Sequence, residues 1–555
     1  MNEWNLKLYA IILSAVAALF ILCHWSRLLD KKTSFSARLC QKLPGFSWIT
    51  KASRRIRSLS VGKFLYFPSG GHAVLTVAFI AVNIVLSFHH VERQTKNFAS
   101  RFGWMTTANM ALSVFLALKN TPLGILSGQS YERLNFLHRL AGCTAVLQLV
   151  LHAICYTVHF AKNDRLPILI EEDNWHGIAA GIGMIILLLG IARNLRYEAF
   201  YISHILGFLL ATIFAALHRP HWVWKIPIAM VFIAAIWVID RIIRGGRLLI
   251  NLINNHATIY QLPDNGVRIV IKKPLLGAVP GSHCFVWIPS IRAFQTHPFT
   301  IVSNTRAGGL ELVLNSYSGF TKAAYDCAHP VTGTVVRASV DGPYGAFPNP
   351  KNYDTVILIA GGTGASFTFG LATNLLQHLQ SNSSTHVEFI WAVRKKENLE
   401  WFADHVRSLR QQQSGINMML HVTRQSTNES LGTAQKSLES STPAPEPTCL
   451  EISDQAPSGP MFSNAESKLP SYDTKEISKE ARSIEDIDSL CDIKYDKLEV
   501  VNVIDQALGV IEHGQKVLVA GCGPRPLTDL VRTAVARHMA SGELSIDIHC
   551  ENFGY

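Results

Sequence analysis

Seven runs of apolar residues fill the first half of the chain, at about 8–25, 72–90, 104–118, 137–158, 176–192, 201–218 and 223–239. Most are long enough for a helix to cross a hydrocarbon core of about 30 Å, and the third is the shortest. The first run has almost no positive residues before it and no clear small-residue cleavage site after it. It therefore reads as a retained anchor rather than a signal peptide. From residue 251 the pattern changes to short alternating runs. Val267-Arg268-Ile269-Val270-Ile271 and Leu310-Glu311-Leu312-Val313-Leu314 predict strands between Gly/Pro turns. Beyond 350 strands alternate with helical runs, starting with Thr355–Ala360 and then Phe367–Leu379, as in βα units. The stretch 426–495 is rich in Ser, Thr, Pro and Glu, and its composition predicts a disordered insertion. Regular pattern returns near 498, and Lys516–Ala520 predicts a further buried strand.

Composition supports the membrane reading. Charged residues make up 16 % of the 555 residues, against about 25 % in soluble domains, and mean hydropathy is +0.19. The net charge of +11 need not mean nucleic acid as a partner, because of where the charge lies. Ten Lys or Arg and one acid, Asp30, fall between Arg27 and Lys63, between two apolar runs. This matches a cytoplasmic loop under the positive-inside bias. The N-terminus is then outside, Arg193 and Arg196 inside, the acidic group Glu171, Glu172 and Asp173 outside, and everything after 250 cytosolic. The loop 91–103, expected outside, disagrees because it carries Arg93, Lys96 and Arg101. The ten cysteines are scattered without a Cys-x-x-Cys pair, which suggests neither a disulfide framework nor a zinc site.

Two histidine pairs carry candidate redox chemistry. His138 and His152 lie in the fourth run, His204 and His218 in the sixth, each pair 14 residues apart. On a helix, 14 residues return to within about 40° of the same face, about 21 Å further along the axis. The two helices run in the same direction. If they face each other, His138 meets His204 near the inner side and His152 meets His218 near the outer side. Each pair can supply two axial nitrogens to a haem iron. Arg139 is placed for a haem propionate or for snorkelling to the interface.

Further motifs lie in the second half. His297-Pro298-Phe299-Thr300-Ile301 follows the strand-like run His283–Ile288. Gly319-Phe320-Thr321 ends the run Leu310–Ser318, where a glycine allows backbone amides near a pyrophosphate. Gly361-Gly362-Thr363-Gly364-Ala365-Ser366 lies between a strand and a helix, a context that seats phosphate on a helix N-terminus. Asp341–Gly345 reads as a tight connection between domains. Arg394, with Lys395 and Lys396, closes a strand as a basic cluster suited to a 2′-phosphate. Cys522-Gly523-Pro524 follows the last strand-and-turn, and Phe553 lies near the C-terminus.

Together these residues resemble the fungal ferric-chelate reductases, within the superfamily that includes the NADPH oxidases. The resemblance implies an α-helical transmembrane bundle of about seven spans carrying two b-type haems. It further implies a ferredoxin-reductase-like module: an antiparallel β-barrel FAD domain and a Rossmann-like α/β NADPH domain. The expected boundaries are 1–250, 251–350 and 351–555. His138/His204 and His152/His218 correspond to the family's haem ligands. His297–Thr300 and Gly319–Thr321 correspond to its FAD-binding segments, Gly361–Ser366 to its NADPH phosphate loop, Cys522–Pro524 to the segment beside the nicotinamide, and Phe553 to the aromatic over the flavin. The implied activity is electron transfer from cytosolic NADPH through FAD and two haems to ferric or cupric ions or chelates outside, in the plasma membrane. Partner permeases or ferroxidases stay open. The alternatives are a superoxide-generating oxidase and a haem-free transporter or sensor with a nucleotide-binding lobe.

Overall fold

The computed structural model describes residues 2–33, 47–192, 197–218, 224–381, 385–411, 415–424, 491–512, 514–541 and 544–552. Two compact units divide at Gly246/Arg247, with the short stretch Gly345–Phe347 grouped with the first.

The first unit is helical. Its described α-helices are α1 (Asn2–Thr33), α2 (Ser47–Val61), α3 (Gly70–Phe88), α4 (Thr95–Ala117), the short α5 (Pro122–Ser127), α6 (Tyr131–Lys162), α7 (Glu172–Leu188), α8 (Tyr197–Leu217) and α9 (Lys225–Leu252), the last reaching into the second unit. Helices α1, α3, α6, α8 and α9 are long and apolar enough to cross a membrane; α4 and α7 fall short by that measure. The apolar outer surfaces are wide open, with Ile80, Leu147, Leu206 and Val231 among the exposed side chains, as expected of helices that face lipid. Antiparallel neighbours α4 and α6 form one hairpin-like pair, and α7 and α8 another.

The loop 91–103 is mostly not a loop. Thr95 begins α4, so Lys96 and Arg101 are helical. Arg101 is 1 % exposed and donates to Asn2 Oδ1 (2.8 Å) and to the Leu86 and His89 carbonyls (2.7 and 3.1 Å). A buried guanidinium satisfied by carbonyls is not a loop charge, which removes one of the three charges that conflict with the orientation rule; Arg93 and Lys96 are exposed. Nearby, Tyr9 donates to Asn109 (2.7 Å), and the Asn109 amide donates to Asn83 (2.7 Å) and Gln148 (2.8 Å). In a lipid-facing bundle such bonds hold helices that hydrophobicity alone does not join; here they link α1, α3, α4 and α6.

The second unit has two lobes. Strands β1 (His256–Leu262), β2 (Gly266–Ile271), β3 (His283–Trp287), β4 (His297–Thr305), β5 (Gly309–Asn315), β6 (Thr334–Arg337) and β7 (Ser339–Tyr344) form one antiparallel sheet in the order β6-β1-β2-β5-β4-β3-β7. Val336 and Val340, from its two edges, share one core with Ile259, Ile269, Val286 and Leu312, so the sheet curls on itself. Helix α10 (Phe320–Cys327) closes it. Asp341–Tyr344 is the end of β7 rather than a connection. Asp341 is fully buried and accepts from Tyr344 Oη at 2.9 Å, with Arg247 Nη1 at 3.5 Å.

The other lobe is a parallel sheet in the order β11-β10-β9-β8-β12-β13. Its strands are β8 (Thr355–Gly361), β9 (His386–Val393), β10 (Ile416–Val422), β11 (Ile493–Lys494), β12 (Lys516–Cys522) and β13 (Ser545–Glu551). Helices α11 (Ala365–Ser381), α12 (Ala403–Gln411), α13 (Val500–Gly509) and α14 (Arg525–Ser541) join them. Val356–Ala360 and Val517–Ala520 are almost fully buried, the continuous apolar run expected of strands covered on both faces. Ile493 and Lys494, expected to lie in the disordered insertion, pair with Leu420 and His421 instead; residues 425–490 lie outside the described residues. Among the described residues seven cysteines are free and Cys327 is disulfide-bonded.

Candidate functional site

In the helical unit the four histidines form the two expected pairs. The ring centroids of His138 and His204 are 6.3 Å apart, and those of His152 and His218 are 6.2 Å apart. His218 lies just past α8, its amide bonded to the Phe214 carbonyl at 2.8 Å, so the helical phase holds to the second ligand position. Three rings are fixed through Nδ1 by backbone carbonyls: His138 by Ser113 O (2.8 Å), His152 by Ala99 O (2.8 Å) and His218 by Asp173 O (2.6 Å). Ser113 Oγ also meets His138 Nδ1 at 3.0 Å. His204 Nδ1 is buried near the Leu187 carbonyl but lacks a hydrogen bond of ordinary geometry.

This arrangement fits a shared metal. An Nδ1–H held by a carbonyl leaves Nε2 as the free lone pair, the usual outer arrangement of a ligating histidine. Two metal–imidazole bonds of about 2 Å each, plus the reach to each ring centre, account for a separation of about 6 Å. The helices whose carbonyls lie nearest the rings repeat the ligand spacing: Ala99 and Ser113 on α4, and Asp173 and Leu187 on α7, are also 14 apart. Sequence reading missed these acceptors because a backbone carbonyl has no residue signature. Glu171 caps α7, and Glu172 and Asp173 lie in its first turn, where acids are favoured by the helix dipole.

In the antiparallel lobe, His297 stacks on Phe320 (4.3 Å, 19° between planes) and Phe299 lies 5.7 Å from the same ring. Two motifs that start 22 residues apart, at His297 and Gly319, therefore form one aromatic wall. Gly319 has φ +60°, ψ −125°, and open space where a Cβ would stand; the backbone there needs glycine. Thr321 Oγ1 accepts from the Tyr317 amide (3.0 Å) and donates to the Ser318 carbonyl (3.1 Å), which shapes the turn. Thr300 is buried opposite His283, while Pro298 is exposed.

In the parallel lobe, β8 has β9 on one side and β12 on the other, and the crevice where strand order reverses is the usual ligand position. Gly361–Ser366 and Cys522–Pro524 meet there. A Cβ on Gly364 would collide with the Cys522 carbonyl, and one on Gly361 would stand 3.0 Å from Pro524 Cδ. Gly362, φ +57°, faces open space, and Thr363 completes the turn. Ala365 is buried, and Ser366 Oγ donates to Val313 O at 2.8 Å in the other lobe. Trp391 Nε1 donates to the Gly362 carbonyl at 3.0 Å, a support that sequence reading missed.

Arg394 is exposed at the end of β9, and the Arg424 amide bonds its carbonyl at 2.9 Å, so two exposed arginines stand side by side. Lys395 is engaged elsewhere, with Asp264 of the β1–β2 turn, whose carboxyl is held low by the hydrogen bonds from Lys395 and Asn398. Cys522 is buried, and desolvation, with Glu551 and Cys550 adding to it, pushes its thiol well up. Glu551 faces Cys522 across the β12–β13 register and bonds His549 Nε2 at 2.7 Å. Phe553 lies outside the described residues.

Three family models match, in chain order: a ferric reductase-like transmembrane component over residues 102–215, an FAD-binding domain over 251–348 and a ferric reductase NAD-binding domain over 353–536. The chain belongs to the ferric reductase family. It is 25 % identical over 529 residues to "Ferric/cupric reductase transmembrane component 2" of Schizosaccharomyces pombe, covering 83 % of this chain and 90 % of that protein. It is 28 % identical over 371 residues to "Ferric reductase transmembrane component 3" of Saccharomyces cerevisiae, covering 63 % and 51 %. It is also 26 % identical over 408 residues to "Probable cell surface ferric reductase kap2" of Aspergillus oryzae, covering 64 % and 52 %. The chain thus spans about half the length of the last two. It combines several apolar helices with FAD- and NAD-binding domains that lie C-terminal to them.

Proposed function

We propose that this ferric reductase carries electrons from cytosolic NADPH across the plasma membrane to ferric or cupric ions or their chelates. The observation that carries the reading is the pair of facing imidazole couples, each about 6 Å centre to centre, with Nδ1 engaged on three of the four rings. His138 with His204, and His152 with His218, would each hold one haem b. The chemistry supplied by the bound groups is hydride acceptance at flavin and one-electron relay at haem iron.

The remaining work falls to the chain's own residues. His297, Pro298, Phe299, Thr300 and the turn Gly319-Phe320-Thr321 would hold FAD, and Phe553 would cover its ring. Gly361, Gly362, Thr363 and Gly364 would present amides to the NADPH pyrophosphate, while Ala365 and Ser366 seat the helix start. Arg394, with Arg424 beside it, would take the 2′-phosphate. Cys522, Gly523 and Pro524 would line the nicotinamide. The corresponding domains would be 1–250, 251–350 and 351–555.

The test is a reduced-minus-oxidised spectrum with haem stoichiometry on the purified chain, together with NADPH-driven iron reduction in membranes. Two b-type haems and reduction that persists with superoxide dismutase are expected. Iron reduction that disappears entirely with superoxide dismutase would make the chain an oxidase, and absence of any haem signal would overturn the reading. His152→Ala and His204→Ala are each expected to stop transmembrane reduction while a soluble dye on the cytosolic side is still reduced.

A further inference from the structure

The His152 and His218 rings reach their carbonyls through gaps in the neighbouring helices. Ala99 O and Asp173 O lie inside or at the start of helices, where the carbonyl of residue i already accepts from the amide of residue i+4. A side chain arriving at such a carbonyl comes close to the Cβ position of that later residue when it approaches over the helix body. Residue 103, four beyond Ala99, is glycine, and a Cβ there would stand 2.8 Å from His152 Nδ1 and 2.9 Å from Cε1. Residue 177, four beyond Asp173, is also glycine. A Cβ there would stand 2.7 Å from both Nδ1 and Cε1 of His218. The other pair lacks this device: four beyond Ser113 is Ala117, the last residue of α4, and Leu187 lies one residue from the end of α7.

We propose that Gly103 and Gly177 are positioning residues for the His152–His218 couple alone. Each leaves the gap that lets one imidazole settle on its carbonyl with Nε2 turned to its partner. A single methyl group at either position pushes that ring off the carbonyl and disturbs the haem held there. The His138–His204 couple, seated differently, is unaffected. This rests on the haem reading above.

The experiment uses the full chain carrying Gly103→Ala or Gly177→Ala, with Gly246→Ala as control because a Cβ there meets nothing within 4 Å. Bound haem is counted by pyridine haemochrome and the haem potentials are measured by optical redox titration. The expected result is that each variant loses one haem, or shifts one midpoint potential, and leaves the other component unchanged. The affected component should be the one missing in His152→Ala. Both haems present at unchanged potentials, or both lost at normal protein levels, would overturn the inference. A wild-type chain without haem would instead overturn the underlying reading, and the inference with it.

Discussion

The indole N–H of Trp391 holds the carbonyl of Gly362, reaching from β9 to the loop after β8. The bond fixes the loop's open glycine through its carbonyl. Trp391→Phe keeps most of the buried ring but removes the donor. A neutral hydrogen bond contributes about 0.5–1.5 kcal/mol, so KM for NADPH should rise about two- to tenfold with kcat little changed. Steady-state reduction of a soluble dye checks this.

Gly364 leaves no room for a side chain against the Cys522 carbonyl. Gly364→Ala must move two backbones apart, at a cost of about 1–3 kcal/mol, and should weaken NADPH binding tenfold or more. Gly509→Ala, with nothing within 4 Å, should leave stability within about 0.5 kcal/mol. Chemical denaturation and coenzyme titration separate the two.

Coenzyme preference should follow Arg394 and Arg424, not Lys395. A hydrogen bond to a charged group contributes about 1.5–3 kcal/mol. Arg394→Ala and Arg424→Ala should therefore each lower kcat/KM for NADPH by about tenfold or more and leave NADH use unchanged. Lys395→Ala breaks the contact with Asp264 and should leave the NADPH/NADH ratio as it is. Equal losses with both coenzymes in the arginine variants would refute the assignment.

Glu311, on β5, joins Arg268 of β2 (2.6 Å) to His405 of α12 (3.3 Å). Burial alone would raise its pKa, but the His405 hydrogen bond and the Arg268 charge hold it down at about 2. A depressed carboxyl stabilises the fold above its unfolded pKa of about 4.3, and that contribution fades as pH falls toward 2. Glu311→Gln should thus destabilise the reductase lobes near neutral pH by up to about 3 kcal/mol, and the gap to wild type should narrow below about pH 4 and close as pH falls toward 2. Thermal unfolding at several pH values measures it.

Much of this architecture was legible because it rests on periodicity. The 14-residue spacing places His138 over His152 and His204 over His218 on any regular helix, and the buried runs Thr355–Ala360 and Lys516–Ala520 became neighbouring parallel strands. The illegible parts depend on partners distant in sequence. Arg101 reads as a loop charge until the carbonyls at Leu86 and His89 are seen around it. Lys395 reads as a phosphate ligand until Asp264, 131 residues away, takes it. Ser366 reads as part of the phosphate loop, yet its hydroxyl is bonded to Val313. Gly103 and Gly177 carried a faint signal, each four residues beyond an acceptor, readable only once the acceptor is known.

Because main-chain oxygens orient three of the four imidazoles, the genetic code has few ways to reach that orientation. Replacing Ala99 or Asp173 changes a side chain and leaves the acceptor in place. Sequence drift at those two positions should therefore be tolerated in a way that drift at the neighbouring glycines is not. The geometry of the relay is inherited chiefly through helix placement and the residues it leaves bare.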